Sequence, residues 1–148
     1  MSEGLVLRTD GAARGNPGPA GAGVVIEDAD GAVLREVERY LGSRTNNQAE
    51  YEALVLGLRS LLDDPPRKGA AVTACLDSEL VVRQLAGRYR VKDPALRALF
   101  EEAEALIARL PSFVVRHVPR AQNQRADRLA NQAIDSALEP TARQRTGV

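Results

Sequence analysis

The sequence predicts an α/β fold: a five-stranded mixed sheet, three antiparallel strands followed by two parallel ones, flanked by helices on both faces. Three observations carry this expectation. The first third alternates short apolar runs with Gly, Pro and Asp-Gly punctuation, the mark of strands joined by turns. From Asn47 the apolar period lengthens to that of a helix. From Ala70 onward strands and helices alternate, which calls for parallel pairing with helical crossovers.

LVLRTDG (5–11) reads as a strand ending in an Asp-Gly turn, followed by the loop GAARGNPGPAGAG, dense in Gly and Pro. GAGVVIED (21–28) is a glycine-lined strand, and Asp30-Gly31 is the signal of a two-residue hairpin leading into AVLREVERYL (32–41). Leu54, Leu58, Leu61 and Leu62 recur at helical spacing between Asn47 and Leu62, and DDPPRKG (63–69) stops that helix. AAVTACL (70–76) is a continuous apolar strand of the kind buried on both faces in parallel pairing. A short helix (78–87), a linker RYRVKDP and an amphipathic helix (95–110) follow. PSFVVRHV (111–118) is the fifth strand, PRAQNQ a loop and RADRLANQAIDSAL (125–138) the last helix. Residues 1–138 thus form one domain, and 139–148 read as a flexible tail or a truncated linker.

Composition narrows the function classes. With 148 residues, 44% hydrophobic and 27% charged, the chain is long enough for one sound core. Its apolar runs are too short to span a bilayer, and no positively charged start precedes an apolar stretch, so a cytoplasmic protein with no membrane partner is expected. Cys75, the one cysteine, sits in an apolar run and reads as a small buried hydrophobe. A zero net charge gives no global sign of a nucleic-acid partner, but Arg88, Arg90 and Lys92 cluster, as do Arg116, Arg120, Arg125 and Arg128. A solvated surface explains such clusters equally well. With no Trp and few Tyr or Phe, a stacking platform for single-stranded bases is not expected.

Four acidic residues stand out by position. Asp10 closes the first strand, Glu50 lies in the first turn of the first long helix, Asp77 follows the fourth strand, and Asp127 lies in the first turn of the last helix. Glu50 and Asp127 fall on the apolar sides of their helices, four residues before Leu54 and three before Ala130 respectively. A carboxylate aimed at a sheet needs a partner, because an unpaired buried charge is costly. Carboxylates gathered at strand ends and helix starts are what hard cations such as Mg²⁺ bind. Taken singly, each has a plainer reading: a turn for Asp10, an N-cap for Asp77, favourable helix-dipole positions for Glu50 and Asp127. Spacing alone does not bring the four together.

The motifs, in order, resemble the type 1 ribonuclease H family over roughly residues 4 to 138. TDGAARGNPGPAG resembles the family's first strand and glycine-rich turn, TNNQAEYEAL the start of its central helix, LDSELVV its fourth strand and helix start, and HVPRAQNQRADRLAN its last strand, loop and final helix. The resemblance implies a ribonuclease H-like fold and an endonuclease that hydrolyses the RNA strand of RNA–DNA hybrids. It makes Asp10, Glu50, Asp77 and Asp127 the ligands of two Mg²⁺ (or Mn²⁺) ions, with 5′-phosphate and 3′-hydroxyl products. His117, the only histidine, becomes the loop histidine ten residues before Asp127, suited to moving a proton or assisting product departure.

Gly11, Asn16, Thr45, Asn46, Asn47, Gln48, Ser78 and Asn123 match substrate-touching positions, and Gly11 would let backbone approach a ribose. Thr45, Asn46 and Asn123 are equally suited to capping helices. The linker after Asp77 is short and lacks Trp, which resembles the variant without the family's basic protrusion, so Arg88, Arg90 and Lys92 are expected to compensate in part. The expected partners are an RNA–DNA hybrid, an RNA duplex as a further candidate, and a fused C-terminal phosphatase-like domain in a longer protein; the expected state is a monomer. A related nuclease acting on DNA and a non-catalytic hybrid binder are the rivals. The TNNQAE segment and the histidine loop weigh against the first, the four intact carboxylates against the second.

Overall fold

A computed structural model describes residues 4–139; the expected tail lies, from residue 140, outside the described residues. The element order is β1 (Leu5–Ala13), β2 (Gly18–Asp28), β3 (Val33–Arg44), α1 (Asn46–Asp63), β4 (Val72–Leu76), α2 (Glu79–Leu85), α3 (Pro94–Ile107), β5 (Phe113–His117), a 3₁₀ turn (Arg120–Gln122) and α4 (Gln124–Ala137). The sheet order is β3-β2-β1-β4-β5. β1–β2 and β2–β3 pair antiparallel, while β1–β4 and β4–β5 pair parallel, as expected.

Side chains of a strand alternate between faces, and the two faces of this sheet are built differently. Leu5, Leu7, Ala22, Val24 and Ile26 join Tyr51, Leu54, Leu58 and Leu61 of α1 in the main core, which α3 completes with Ala103 and Leu106. The opposite face carries α4, and its buried cluster is small: Val25 with Ala126 and Leu129. There the glycines of β2 replace side-chain packing by backbone approach. A Cβ on Gly21 would lie 2.2 Å from the Ala130 carbonyl oxygen, and one on Gly23 would lie 2.0 Å from that of Ala126. The glycine-lined strand therefore lets α4 lie directly on the sheet, which carries Asp127 to Asp10 of β1.

Several boundaries differ from the sequence reading. β1 does not turn at Asp10-Gly11 but runs on to Ala13, because β2 starts at Gly18 and pairs Asp10 with Gly23 and Ala13 with Ala20. The hairpin at Asp30-Gly31 is longer than two residues: the Asp28 carboxylate accepts from the amides of Asp30 and Ala32 (both 2.9 Å), and Gly31 supplies the positive φ of 90°. α1 begins one residue early, capped by Thr45 in a reciprocal bond pair with Gln48, so Glu50 sits beyond the first turn. The first residues of the apolar run 70–76 lie outside β4, and the loop before α4 contains the 3₁₀ turn. No helix among the described residues is long and apolar enough to cross a membrane.

Candidate metal centre

Four elements meet at one place. Carboxylate oxygens of Asp10 (β1), Glu50 (α1) and Asp77 (directly after β4) lie within 4.8 Å of one another. Asp10 is 4% exposed and Glu50 8%. Asp127 comes to the same place from the first turn of α4, near enough to hydrogen-bond Asp10. The Gly11 amide donates to Glu50 Oε1 at 2.9 Å, which fixes the Glu50 side chain against β1. That contact needs glycine: a Cβ on Gly11 would lie 2.1 Å from the Ala49 carbonyl carbon. The closeness that Gly11 provides is therefore to α1.

The structure removes three of the plainer readings. Asp10 lies inside a strand, not in a turn. The cap of α2 is Ser78, whose Oγ accepts from the Val81 amide at 3.3 Å, so Asp77 is free of that duty. The helix-dipole reading also fails for Glu50, which lies past the first turn of α1.

The electrostatics show a site short of positive charge. Burial pushes the Asp10 carboxyl far above the usual carboxylate range, and hydrogen bonding and repulsion from Glu50 push it further. Burial also raises Glu50, although its bonds to Asp10 and Gly11 and the charge of Arg120 oppose the rise. Such a cluster is unfavourable unless a cation enters it. Oxygen donors only, at least two of them buried and all close together, suit a hard divalent ion such as Mg²⁺ or Mn²⁺.

The remaining predicted residues fall into two groups around this centre. His117 ends β5 beside Leu76, with Nε2 3.3 Å from the Asp77 carbonyl oxygen, and its ring is exposed. Asn123 is buried beside Asp77 and Thr9, and although it occupies the N-cap position of α4 its side chain makes no capping bond. Thr45, Asn46, Asn47 and Gln48 form the start of α1, where exposed Asn16 joins them: its Oδ1 accepts from the Asn46 amide at 3.0 Å. Gln48 is partly committed, since its Oε1 accepts from the Thr45 amide.

Sequence reasoning passed over Gly21 and Gly23 as packing residues, and over Arg8, which ties the 3₁₀ turn to β1 through Gln122 O (3.0 Å). It noted Arg120 only as one of a basic cluster, with no link to Glu50. The run of glycines in GPAGAG was a readable signal for the first of these; nothing in the sequence marks the others.

Comparison with known proteins agrees with this geometry. A family described as reverse transcriptase-like matches residues 8–133. A bifunctional protein of Mycobacterium tuberculosis is 46% identical over 140 residues, covering 93% of this chain but only 37% of that protein. Ribonuclease HI of Halobacterium salinarum is 43% identical over 132 residues (86% of this chain, 63% of that protein), and ribonuclease HI of Pseudomonas syringae is 30% identical over 153 residues (91% and 95%). Among solved structures, LC11-RNase H1 in complex with an RNA/DNA hybrid superposes with a TM-score of 0.85 at 46% identity, covering 90% of this chain and 99% of that one. The N-terminal RNase H domain of the mycobacterial protein gives 0.86 at 42%, covering 95% and 99%. By these matches, and by the five-stranded sheet with its cluster of carboxylates, the chain belongs to the type 1 ribonuclease H family of hydrolases.

Proposed function

We propose that this chain binds RNA–DNA hybrids and cuts their RNA strand, using two divalent ions held by Asp10, Glu50, Asp77 and Asp127 and leaving 5′-phosphate and 3′-hydroxyl ends. The observation that carries this reading is the convergence of three carboxylates within 4.8 Å of one another, with Asp127 alongside. Divalent ions bound there supply the Lewis acidity that activates a water and neutralises the departing 3′ oxygen of a phosphodiester. The protein's own part is to hold its ligands. The Gly11 amide fixes one oxygen of Glu50, and β1, β4 and α4 fix the other carboxylates.

In this reading Glu50 also meets a ribose 2′-hydroxyl, the group that separates RNA from DNA. Asn16, Asn46 and Asn47 hydrogen-bond sugars or base edges from the start of α1. His117 moves a proton or assists product release beside Asp77. The complex named for LC11-RNase H1 supports hybrid binding. The bifunctional name of the mycobacterial relative, and the 37% of its length matched here, support a fused C-terminal domain, which we assign to the phosphatase-like class. A cytoplasmic monomer acting on hybrids, with RNA duplex as a secondary substrate, completes the reading.

The test is cleavage of labelled RNA–DNA hybrid, RNA duplex, DNA duplex and single-stranded RNA, with Mg²⁺, Mn²⁺ and EDTA in parallel. Metal-dependent cutting of the hybrid's RNA strand is expected. A DNA duplex cut as fast as the hybrid would instead favour the DNA-directed nuclease, and hybrid binding without cleavage the pure binder.

Affinity should depend on the short linker after α2. Arg88, Tyr89 and Arg90 are exposed there, and with Gln84, Arg97 and Phe100 they line a concavity of about 430 Å³. Each phosphate neutralised by a basic side chain adds roughly one to the slope of log affinity against log salt. The double variant Arg88→Ala/Arg90→Ala is therefore expected to raise KM, leave kcat near wild type and flatten the salt dependence of hybrid binding by about two. An unchanged slope would remove the linker from the binding surface.

A further inference from the structure

The Asn123 side chain links two of the carboxylate-bearing segments, and its main chain opens the helix that carries a third. Its side-chain Nδ2 donates to the Thr9 carbonyl oxygen at 2.9 Å, one residue before Asp10, and to Asp77 Oδ2 at 3.4 Å. Its main-chain carbonyl accepts from the Asp127 amide at 3.1 Å, and its own amide donates to Arg120 O at 2.9 Å. The residue is 1% exposed, so its side chain does not face the substrate side. Nor does it serve α4 as a cap, although it stands at the cap position. Its Oδ1 is the single buried side-chain polar atom without a hydrogen-bond partner among the described residues.

We propose that Asn123 is a positioning residue for the metal centre: one side chain that orients the Asp77 carboxylate and holds the starts of the 3₁₀ turn and α4 in register with Asp10. The reasoning is chemical. A capping asparagine would turn its oxygen to the helix amides, where it is favourable. Here the amide group is spent on a strand carbonyl and a carboxylate, and the oxygen is left without a donor. A bond from an amide to one carboxylate oxygen leaves the other oxygen to face a cation and limits its rotation, which is how outer groups tune metal ligands. The bare Oδ1 is an acceptor at the edge of the same centre, suited to a polar hydrogen such as that of a water molecule. A simple latch between the loop and β1 would need only the bond to Thr9.

The proposal rests on the reading of the carboxylates as metal ligands, and the experiment separates the two. Mn²⁺ binding to the full chain is measured by calorimetry, without substrate, for wild type, Asn123→Ala and the similarly sized, uncharged Asn123→Leu, beside the melting temperature in EDTA. Both variants are expected to bind Mn²⁺ roughly tenfold to a hundredfold more weakly. In hybrid cleavage at a fixed metal concentration below saturation, kcat falls and KM for the hybrid holds. Variants that melt lower but bind Mn²⁺ within about twofold of wild type would reduce Asn123 to a latch and overturn the proposal. So would a raised KM with kcat and metal affinity unchanged, which marks a direct substrate contact. A wild type that binds no Mn²⁺ overturns the reading of the cluster and this proposal with it. Should neither variant fold, the Asn123 side-chain amide resonance of the wild-type protein is followed through a Mg²⁺ titration. A shift that saturates with the metal supports the role, and an unmoved resonance contradicts it.

Discussion

Asp10→Asn is expected to silence cleavage and to stabilise the metal-free protein at the same time. The loss follows from the site's chemistry. Stabilisation by a bound ion is worth several kcal/mol, and each 1.36 kcal/mol is about tenfold in rate, so a drop on the order of 10³ or more is expected. The gain follows from the electrostatics. Burial first, and Glu50 second, raise the folded pKa of Asp10 above its unfolded value. Such a group contributes stability below its ordinary pKa and loses it as pH rises through the folded value. At pH 8 without metal the wild-type fold therefore carries a destabilised carboxyl group that asparagine removes. In EDTA at pH 8 the variant should melt higher by at least about 3 °C, the shift expected for roughly 1 kcal/mol in a domain of this size. The difference should shrink as pH is lowered toward 4. A variant that melts lower than wild type in EDTA, or that keeps near-normal turnover, contradicts this role for Asp10.

Gly11→Ala is expected to damage both fold and activity. The added methyl would lie 2.1 Å from the Ala49 carbonyl carbon, 2.2 Å from its oxygen and 2.4 Å from the Glu50 amide nitrogen. All three are backbone atoms in the first turns of α1, and no side chain can swing away to make room. Overpacking of this kind costs about 3 kcal/mol, or roughly 10 °C in melting temperature. To relieve it, α1 must withdraw from β1, and Glu50 then loses the Gly11 amide and its distance to Asp10. Cleavage should fall by about 100-fold or more even at temperatures where the variant is folded, because misplacement by about 1 Å has that effect. Thermal melting by circular dichroism and single-turnover cleavage check the two halves. A variant as stable and active as wild type would mean that α1 and β1 are not in contact at this point.

Much of this was readable from the residues. The switch from strand to helix period at Asn47, the apolar run ending at Leu76 and the spacing of Leu54, Leu58 and Leu61 fixed the element order, and the sheet follows from it. The four acidic positions were visible as strand-end and helix-start carboxylates, but not their convergence, because spacing along a chain does not measure distance across a fold. That step came from the resemblance, and the sheet supplies its cause: β1 and β4 are parallel neighbours in a register that brings Asp10 and Asp77 side by side.

Other features were out of reach for stated reasons. The continuation of β1 through Asp10-Gly11 depends on pairing with β2, a long-range event that overrides the local turn signal. The role of Gly11 depends on what passes it: the sequence suggested a ribose, and only the structure shows the backbone of α1 against it. Asn123 stands where a helix cap belongs, and only the structure shows that its side chain turns instead to Thr9 and Asp77. The functional glycines of β2 were legible as a pattern, although their partner, the carbonyl ridge of α4, was not.

The most direct test of the four-carboxylate centre is strand-resolved cleavage of an RNA–DNA hybrid labelled on each strand in turn, with Mg²⁺ and with EDTA, followed by analysis of the product ends. The expected result is cutting of the RNA strand alone, only with Mg²⁺, with every product carrying a 5′-phosphate and a 3′-hydroxyl, and with Asp10→Asn inert in the same assay. Cleavage that persists in EDTA, or products ending in 2′,3′-cyclic phosphate, would mean that the 2′-hydroxyl rather than a metal-activated water attacks the phosphorus, and the assignment of Asp10, Glu50, Asp77 and Asp127 as metal ligands would be wrong.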